Sequence, residues 1–364
     1  MELTRQHVIA YRVAAQGLLR DGTSPDQLAV LDIGIQDTSG SAALSLDARL
    51  RKPEPVPGSL ALAWTMRGAP HLHRRRDLDR FAGALFPLSD ADALARVDAS
   101  ASMRKAGIAG LDGFRTALKA LRAIVTTPTG KGAASTALTK ATPEGMHRYC
   151  RSCRATHVFE MVLRLPTPAA GIELEPDTAP PVLIPRADAV QPDDPDVDAL
   201  QGLVRAYLTL LGPGTVSEAA DYFGVRRAEL ANVWPDDLVE VGVDGRRGWL
   251  PSEAASSIGR RRKTRLTRLL GAYDPYLQAR DRDLIVPDAA VQKTLWPMIG
   301  RPGVLFVDGE VVGAWRPRSA KSRLQLAVEP FAPLPPAIHR EVEDEAARVA
   351  AARGADDVEV LWSE

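Results

Sequence analysis

The stretch from Leu200 to Leu250 leaves the chain least freedom. Leu200, Leu203, Val204, Tyr207, Leu208 and Leu211 recur at the spacing of one face of an α-helix. Gly212-Pro213-Gly214 ends that helix, because proline has no amide hydrogen to continue the ladder. Thr215 and Glu218 then stand at capping-box spacing, each placed to satisfy the other's backbone donor. Gly224 interrupts the chain after Phe223, and residues 225–234 predict a second helix at the separation of a helix-turn-helix. Two apolar segments, 238–243 and 248–250, flank Asp244-Gly245, a tight-hairpin signal. Helices followed by a two-stranded ribbon predict a winged helix over residues 196–256.

The same order recurs upstream. Residues 4–20 read as an amphipathic helix with Val8, Tyr11, Ala15, Leu18 and Leu19 on one face. Ser24-Pro25 opens a second, short helix, and a third follows residues 34–40 and ends near Leu50. After a proline-rich break at 52–58, residues 60–66 and 71–74 read as strands around the turn Arg67-Gly68-Ala69-Pro70. This predicts a first winged helix within residues 1–105. Residues 111–125, with Phe114, Leu118 and Leu121, are helical in pattern; 131–140 and the segment from Pro143 onward are expected as further helices. They predict a winged-helix-like unit over 106–185, with the acidic, proline-rich 176–195 as a linker. At the C-terminus, strands at 304–307, 310–315, 324–328 and 357–362 and a helix at 335–353 ending before Gly354 predict an α+β unit over 257–364. The expected fold class is α+β, mainly α: tandem winged-helix (helix-turn-helix) domains with a C-terminal α+β unit.

Composition narrows the function classes. No apolar run approaches the ~18 residues of a membrane span, and residues 1–17 lack an apolar signal core, so a cytoplasmic protein without membrane contact is expected. Two cysteines make no disulfide framework. The net charge is zero, which is no general polyanion signature, yet residues 71–76 (HLHRRR) and 260–268 (RRRKTRLTR) are locally basic. No phosphate-binding glycine loop, G-x-S-x-G or H-E-x-x-H occurs, so nucleotide hydrolysis and serine or metallohydrolase chemistry lack their motifs and no cofactor is expected.

Four stretches carry a family resemblance: GIQDTSGSAALSLDARL (34–50), LAWTMRGAPHLHRRRDL (62–78), LLGAYDPYLQARDRDLIVPD (269–288) and GRPGVLFVDGEVVGAWRPR (300–318). Together they resemble the AlkZ-like DNA glycosylases, also described as winged-helix DNA-binding domain proteins. The resemblance implies three tandem winged helices around a concave basic surface for duplex DNA. It implies hydrolysis of the N-glycosidic bond of bulky alkylated purines, some interstrand crosslinks among them. The family's catalytic motif is Gln, an apolar residue, then Gln or Asp. Gln36 matches the first position; Asp37 stands where the apolar residue is expected, and Thr38 where the second Gln or Asp is expected.

The chemistry suits these residue types. A cationic alkylated purine leaves as a neutral base, so the enzyme's task is to stabilise an oxocarbenium-like sugar and position water. Asp37 suits charge stabilisation and base work, Gln36 suits water orientation, and Thr38 suits hydrogen-bond donation. The competing reading is structural: Asp37, Thr38 and Ser39 are all N-cap residue types for the helix that follows. No lysine stands beside the motif for lyase chemistry, so an abasic product is expected. For DNA contact the candidates are Arg67, His71, His73, Arg74 and Arg75 (with Arg76) on the first wing, and Arg226 and Arg227 at the start of a recognition helix. Arg246 and Arg247 stand on its wing, Arg261 in the basic run, and Arg316 and Arg318 in the last of the four stretches; a solvated charged surface is the alternative for each. Arg280-Asp281-Arg282-Asp283 reads as a solvated ion-pair network and Tyr276 as packing. His147, Cys150, Cys153 and His157 are zinc-type residues. Placed on one continuous helix they cannot surround an ion, so structural cysteines are expected and no metal is assigned. The expected protein is a monomeric, monofunctional glycosylase acting on duplex DNA. The alternatives are a non-catalytic DNA-binding regulator or lesion-recognition protein, and a scaffold that binds no DNA.

Overall fold

The computed structural model describes residues 1–38, 40–260, 264–320 and 323–363. By its contacts the chain forms two compact units. One gathers Met1–Pro57, Ala206–Thr215 and Asp237–Glu364; the other gathers Gly58–Arg205 and Val216–Asp236. Segments 1–105 and 196–256 each contribute to both units. No helix among the described residues is long and apolar enough to cross a membrane.

In the first unit, the opening helix runs Arg5–Ala15. Thr4 caps it in a reciprocal box: Thr4 Oγ1 accepts from the His7 amide (3.4 Å) and the Thr4 amide donates to His7 Nδ1 (3.2 Å). The helix is shorter than the pattern 4–20 predicts, because Gly17 takes a left-handed φ of 69° and turns the chain, although Leu18 still reaches the core. The expected second helix is two 3₁₀ turns, Pro25–Gln27 and Ala29–Asp32, and the third is a two-turn helix, Ser41–Asp47. The hairpin Leu238–Val243/Arg246–Pro251 turns through Asp244 (φ 47°) and Gly245 (φ 82°), as its Asp-Gly pair predicts. The N-terminal strand Glu2–Leu3 adds to it in parallel.

The C-terminal part of this unit is the expected α+β element. Strands Thr267–Leu270, Gly303–Val307, Glu310–Ala320, Arg323–Pro330 and Asp357–Trp362 hydrogen-bond in that order. The last two are parallel, so the chain must cross over between them, and helix Pro336–Ala352 makes that crossing. Leu269, Leu305, Trp315, Leu326 and Val328 of the sheet pack against Val342, Ala346 and Val349 of the helix. Strand Thr267–Leu270 was hidden in the basic run. Arg268 is buried within it, donating to the carbonyls of Leu18 (3.1 Å) and Thr267 (2.7 Å). Burial, aided by Arg20, pulls its guanidinium down to about 10.

Buried ion pairs tie the unit's segments together. Arg49 and Asp274 meet through two 2.8 Å bonds with both side chains fully buried. Arg49 also donates to the Ser45 carbonyl (2.7 Å) and to Gln16 Oε1 (3.1 Å), and Gln16 Nε2 donates to the Leu210 carbonyl (3.1 Å). Arg12 holds Asp281 at 3.0 and 2.6 Å and donates from Nε to the Gly212 carbonyl. The aspartates at 274 and 281 thus belong to the interior, which corrects the solvated network expected for the second half of this stretch. Tyr276 is packing, as expected, its ring 4.8 Å from that of Phe306.

In the second unit, Leu60–Trp64 pairs antiparallel with Pro70–Arg74, from Leu60↔Arg74 to Trp64↔Pro70. Leu60–Trp64 pairs on its other edge with Ile172–Leu174, which pairs with Val182–Pro185, which pairs with Thr129–Gly130. The hairpin is therefore part of a sheet and is no free two-stranded ribbon. Helix Gly110–Ile124 buries Phe114, Leu118 and Leu121, and helix Lys131–Ala141 buries Ala134 and Leu138, in one core with Trp64 and Ile172. Helices Val216–Phe223 and Arg227–Asn232 follow in the expected order. The segment after Pro143 departs from expectation. It forms a 3₁₀ turn, Glu144–Met146, and then a β-hairpin, His147–Cys150/Ala155–Val158. Tyr149, Thr156 and Val158 are strand-favouring residues, and Met146 and Val158 tie the hairpin's base to the core.

Removing one partner from a buried ion pair strands the other charge. We expect Arg49→Ala or Asp274→Ala to destabilise the protein by about 3–5 kcal/mol in urea unfolding. The double variant Arg49→Met/Asp274→Leu is expected to lose much less than the sum of the two single losses.

Candidate active site

The motif is shaped by two glycines and a buried isoleucine. Gly34 (φ 75°) turns the chain into the short strand Ile35–Gln36, where Ile35 is fully buried and Gln36, on the opposite side of the pleat, is half-buried. Gly40, also at φ 75°, occupies the N-cap of helix Ser41–Asp47 and brings no capping oxygen of its own. The helix is served from upstream instead. Asp37 Oδ1 accepts from the Ala42 amide at 2.9 Å. Ser41 Oγ accepts from the Thr38 amide (3.0 Å) and donates to the Gln36 carbonyl (3.1 Å). Gln36 Nε2 donates to Thr38 Oγ1 at 3.3 Å.

Gln36, Asp37 and Thr38 thus form one hydrogen-bonded turn over the helix, and all three are half-buried. The capping role expected for this stretch is present and falls to Asp37; Ser39 lies outside the described residues. Below the turn, Ser45 Oγ donates to the Ser41 carbonyl (3.3 Å), and Arg49 links the Ser45 carbonyl to Asp274. The amide, the carboxylate and the hydroxyl are held by hydrogen bonds to one helical element, which fixes their orientation.

The basic candidates separate by burial. His71 and His73 are 2% and 0% exposed, so they cannot probe a DNA groove as expected. His71 Nδ1 meets the Ala69 carbonyl (2.9 Å), and His73 Nε2 meets Thr65 Oγ1 (3.0 Å) with its ring 4.1 Å from Phe81. Burial, with Arg67 adding, lowers the His71 imidazole to about 3, and burial also holds His73 well below its ordinary range. Arg74 is buried as well and bonds Asp77 at 3.2 Å. Arg67, at φ 55°, is half-buried: it donates to the Tyr222 carbonyl and its guanidinium sits 5.6 Å from the Tyr222 ring centre. Arg75 is engaged by Glu173. Five expected DNA contacts are thus engaged within the protein: His71 and His73 are buried on the strand paired with Leu60–Trp64, His73 against Phe81, while Arg67, Arg74 and Arg75 are held by Tyr222, Asp77 and Glu173. The signal was present in Leu60-Ala61-Leu62-Ala63-Trp64, apolar on both faces, the pattern of a strand covered on both sides.

Elsewhere, Arg226 pairs with Glu229 (3.3 Å) while its amide donates to Asp92 (2.7 Å), and Arg246 is half-buried. Arg227, Arg247, Arg316 and Arg318 are exposed. Arg247 lies 3.6 Å from Glu240, and Arg316 donates to the Gly300 carbonyl. Arg261 lies outside the described residues.

A second grouping was misjudged from the sequence. Because the segment is a hairpin, Cys150, Cys153 and His157 each bring one donor atom within 4.8 Å of the others. His147 is not among them; its Nε2 bonds Thr142 Oγ1 at 3.0 Å.

Gln36 stands at the first position of the motif the resemblance to glycosylases implies, while Asp37 and Thr38 depart from it. A family model described as "DNA glycosylase AlkZ-like" matches residues 30–352, and the chain belongs to that family. A curated relative, the interstrand DNA cross-link repair glycosylase of Streptomyces sahachiroi, is 29% identical over 180 residues; the match spans 46% of this chain and 46% of that protein, about half of each. The solved structure of Streptomyces sahachiroi DNA glycosylase AlkZ superposes over 100% of both chains with a TM-score of 0.77 at 21% identity, a likeness of fold.

The two buried histidines make a pH prediction. Both are neutral in the folded protein, whereas in the unfolded chain they take up protons near the ordinary 6.5. Their contribution is intact above that value and is lost as pH falls toward the folded value, at up to about 1.4 kcal/mol per pH unit per group. The urea midpoint is expected to fall from pH 7 to pH 5, and more gently in His71→Asn.

Proposed function

We propose that this protein is a monofunctional DNA glycosylase that hydrolyses the N-glycosidic bond of alkylated purines in duplex DNA, without a cofactor, as a monomer. The observation that carries this reading is the Gln36–Asp37–Thr38 turn in a chain of the AlkZ-like family: an amide, a carboxylate and a hydroxyl in reach of solvent at the head of a pinned helix. Alkylation at purine N7 or N3 makes the base a cationic leaving group that departs neutral, so little leaving-group protonation is needed. Charge builds on the sugar instead. The Asp37 carboxylate, its orientation set by the Ala42 amide, stabilises the oxocarbenium-like sugar and takes a proton from the attacking water. The Gln36 amide, held by Thr38, positions that water. The products are the free alkylated base and an abasic site. Where the alkylated purine is one end of an interstrand crosslink, the same bond cleavage unhooks it, which suits the activity in the name of the Streptomyces sahachiroi relative.

We further propose that the helix pairs and hairpins act as winged helices on the duplex, with the exposed Arg227, Arg247, Arg316 and Arg318 meeting phosphates. The second reading, a DNA-binding protein without chemistry, draws on the fact that Asp37 already serves as a helix cap.

Asp37→Asn separates the two, because asparagine keeps an acceptor for the Ala42 amide and removes the charge. On N7-alkylguanine duplex DNA, abasic-site formation is expected to fall about 10²–10³-fold for Asp37→Asn and for Gln36→Ala, with duplex affinity retained. Unchanged base release in both variants would reject the assignment. A wild-type protein that binds the duplex and releases no base from any alkylated substrate would favour the second reading. Duplex affinity is expected to fall steeply with salt, and each phosphate-contacting arginine changed to alanine should lower the log–log slope by about 0.9.

A further inference from the structure

We propose that Cys150, Cys153 and His157 bind one zinc ion at the tip of the hairpin His147–Cys150/Ala155–Val158. Strand pairing creates the site. His157 lies directly opposite Arg148, and Cys150 follows Arg148 by two residues, so Cys150 and His157 project from the same face. The turn of residues 151–154, with Arg154 at φ 53°, folds Cys153 back toward them. The three donor atoms then lie within 4.8 Å of one another. Around a tetrahedral zinc, with bonds of about 2.3 Å to sulfur and 2.0–2.1 Å to nitrogen, donors stand about 3.6–3.8 Å apart. Closing the site asks for a shift of about an ångström in an exposed turn.

The surroundings fit a ligand role better than a packing role. Reduced cysteines that serve packing are buried; Cys150 is half-buried and Cys153 is exposed. The His157 Nδ1–H donates to the Val158 carbonyl at 2.8 Å, which fixes the ring and leaves the Nε2 lone pair as the donor, the outer-sphere arrangement usual for ligating histidines. The Ser152 hydroxyl lies 3.0 Å from Cys150 Sγ, where it can donate to a metal-bound thiolate. Two thiolates and an imidazole suit zinc and exclude magnesium or calcium, which take oxygen ligands. On binding, each cysteine loses its thiol proton to solvent and gains an S–Zn bond; water completes the fourth position.

A site here answers a structural need. A two-stranded ribbon is marginal in water, and the tip of this one, residues 148–156, carries no buried side chain. The metal would order the tip and with it the exposed Arg148, Arg151 and Arg154.

The full-length protein, purified under reductant without chelator, is expected to hold one zinc per chain by mass spectrometry of the metal. Cobalt substitution should give thiolate charge-transfer bands and the intense visible bands of a tetrahedral site. Cys150→Ser and Cys153→Ser should each abolish stoichiometric binding, and His157→Gln should weaken it at least tenfold against a chromophoric chelator. His147→Gln should leave it unchanged. If the cysteine variants fold poorly, protection of the wild-type thiols from alkylation by added zinc provides the same reading, with slowed hydrogen exchange at residues 147–158. Reduced wild-type protein that neither contains nor takes up zinc would overturn the proposal. So would zinc content that survives loss of both cysteines, or a Cys150–Cys153 disulfide that persists under reductant in place of metal.

Discussion

The buried pair between Arg49 and Asp274 is the constraint on which the first unit depends. Its partners are more than two hundred residues apart in sequence, and neither retains contact with water. Desolvating both charges costs several kcal/mol each, so the pair is a weak source of net stability. It is a strong source of specificity, because any register that separates the two leaves a charge stranded in a dry interior. Arg49 uses its remaining donors on the Ser45 carbonyl and on Gln16, and Gln16 reaches the Leu210 carbonyl. One guanidinium therefore couples the opening helix, the motif helix, the end of the long helix Val197–Leu211 and the segment around Tyr276. Arg12 with Asp281 repeats the device, and Arg348 with Asp47 and Arg20 with Glu345 extend it to the C-terminal helix.

The motif helix is short, and seven residues are too few to be stable alone. Its order comes from both ends: Asp37 and Ser41 close the first turn, and the Arg49 network closes the last. Capping and catalysis are then compatible duties. A glycine at the N-cap delegates the cap to a carboxylate three residues upstream, which is thereby held in one orientation beside Gln36 and Thr38. The departure from the family's Gln–apolar–Gln/Asp pattern has a physical counterpart here, since Asp37 is placed by the helix N–H it serves.

The two basic runs show why charge in a sequence is not charge on a surface. In HLHRRR the first four residues are buried, on the strand that pairs with Leu60–Trp64 and, at His73, against Phe81. In RRRKTRLTR, Arg268 points inward to carbonyls and Arg265 pairs outward with Glu341. Other arginines the sequence singled out, Arg227, Arg247, Arg316 and Arg318, are exposed.

Local chemistry alone determined much of this protein. Asp244-Gly245 specified a hairpin, the apolar spacing of residues 200–211 and of Phe114, Leu118 and Leu121 specified helices, and the C-terminal strand–helix–strand order was readable from alternation and a terminal glycine. Gln36-Asp37-Thr38 was legible as both cap and candidate catalyst, because both duties call for the same small polar residues. Tertiary structure decided the rest. Whether His71 and His73 meet water depends on their pairing with Ala63 and Ala61 of the neighbouring strand and on Phe81, which packs against His73. Whether Asp274 and Asp281 are solvated depends on arginines at the other end of the chain. Whether two cysteines and a histidine converge depends on a hairpin rather than a helix, and weak local propensity settled that only when Met146 and Val158 joined the core. Burial and convergence are properties of contacts between distant segments, and a one-dimensional pattern encodes them only through the fold it produces.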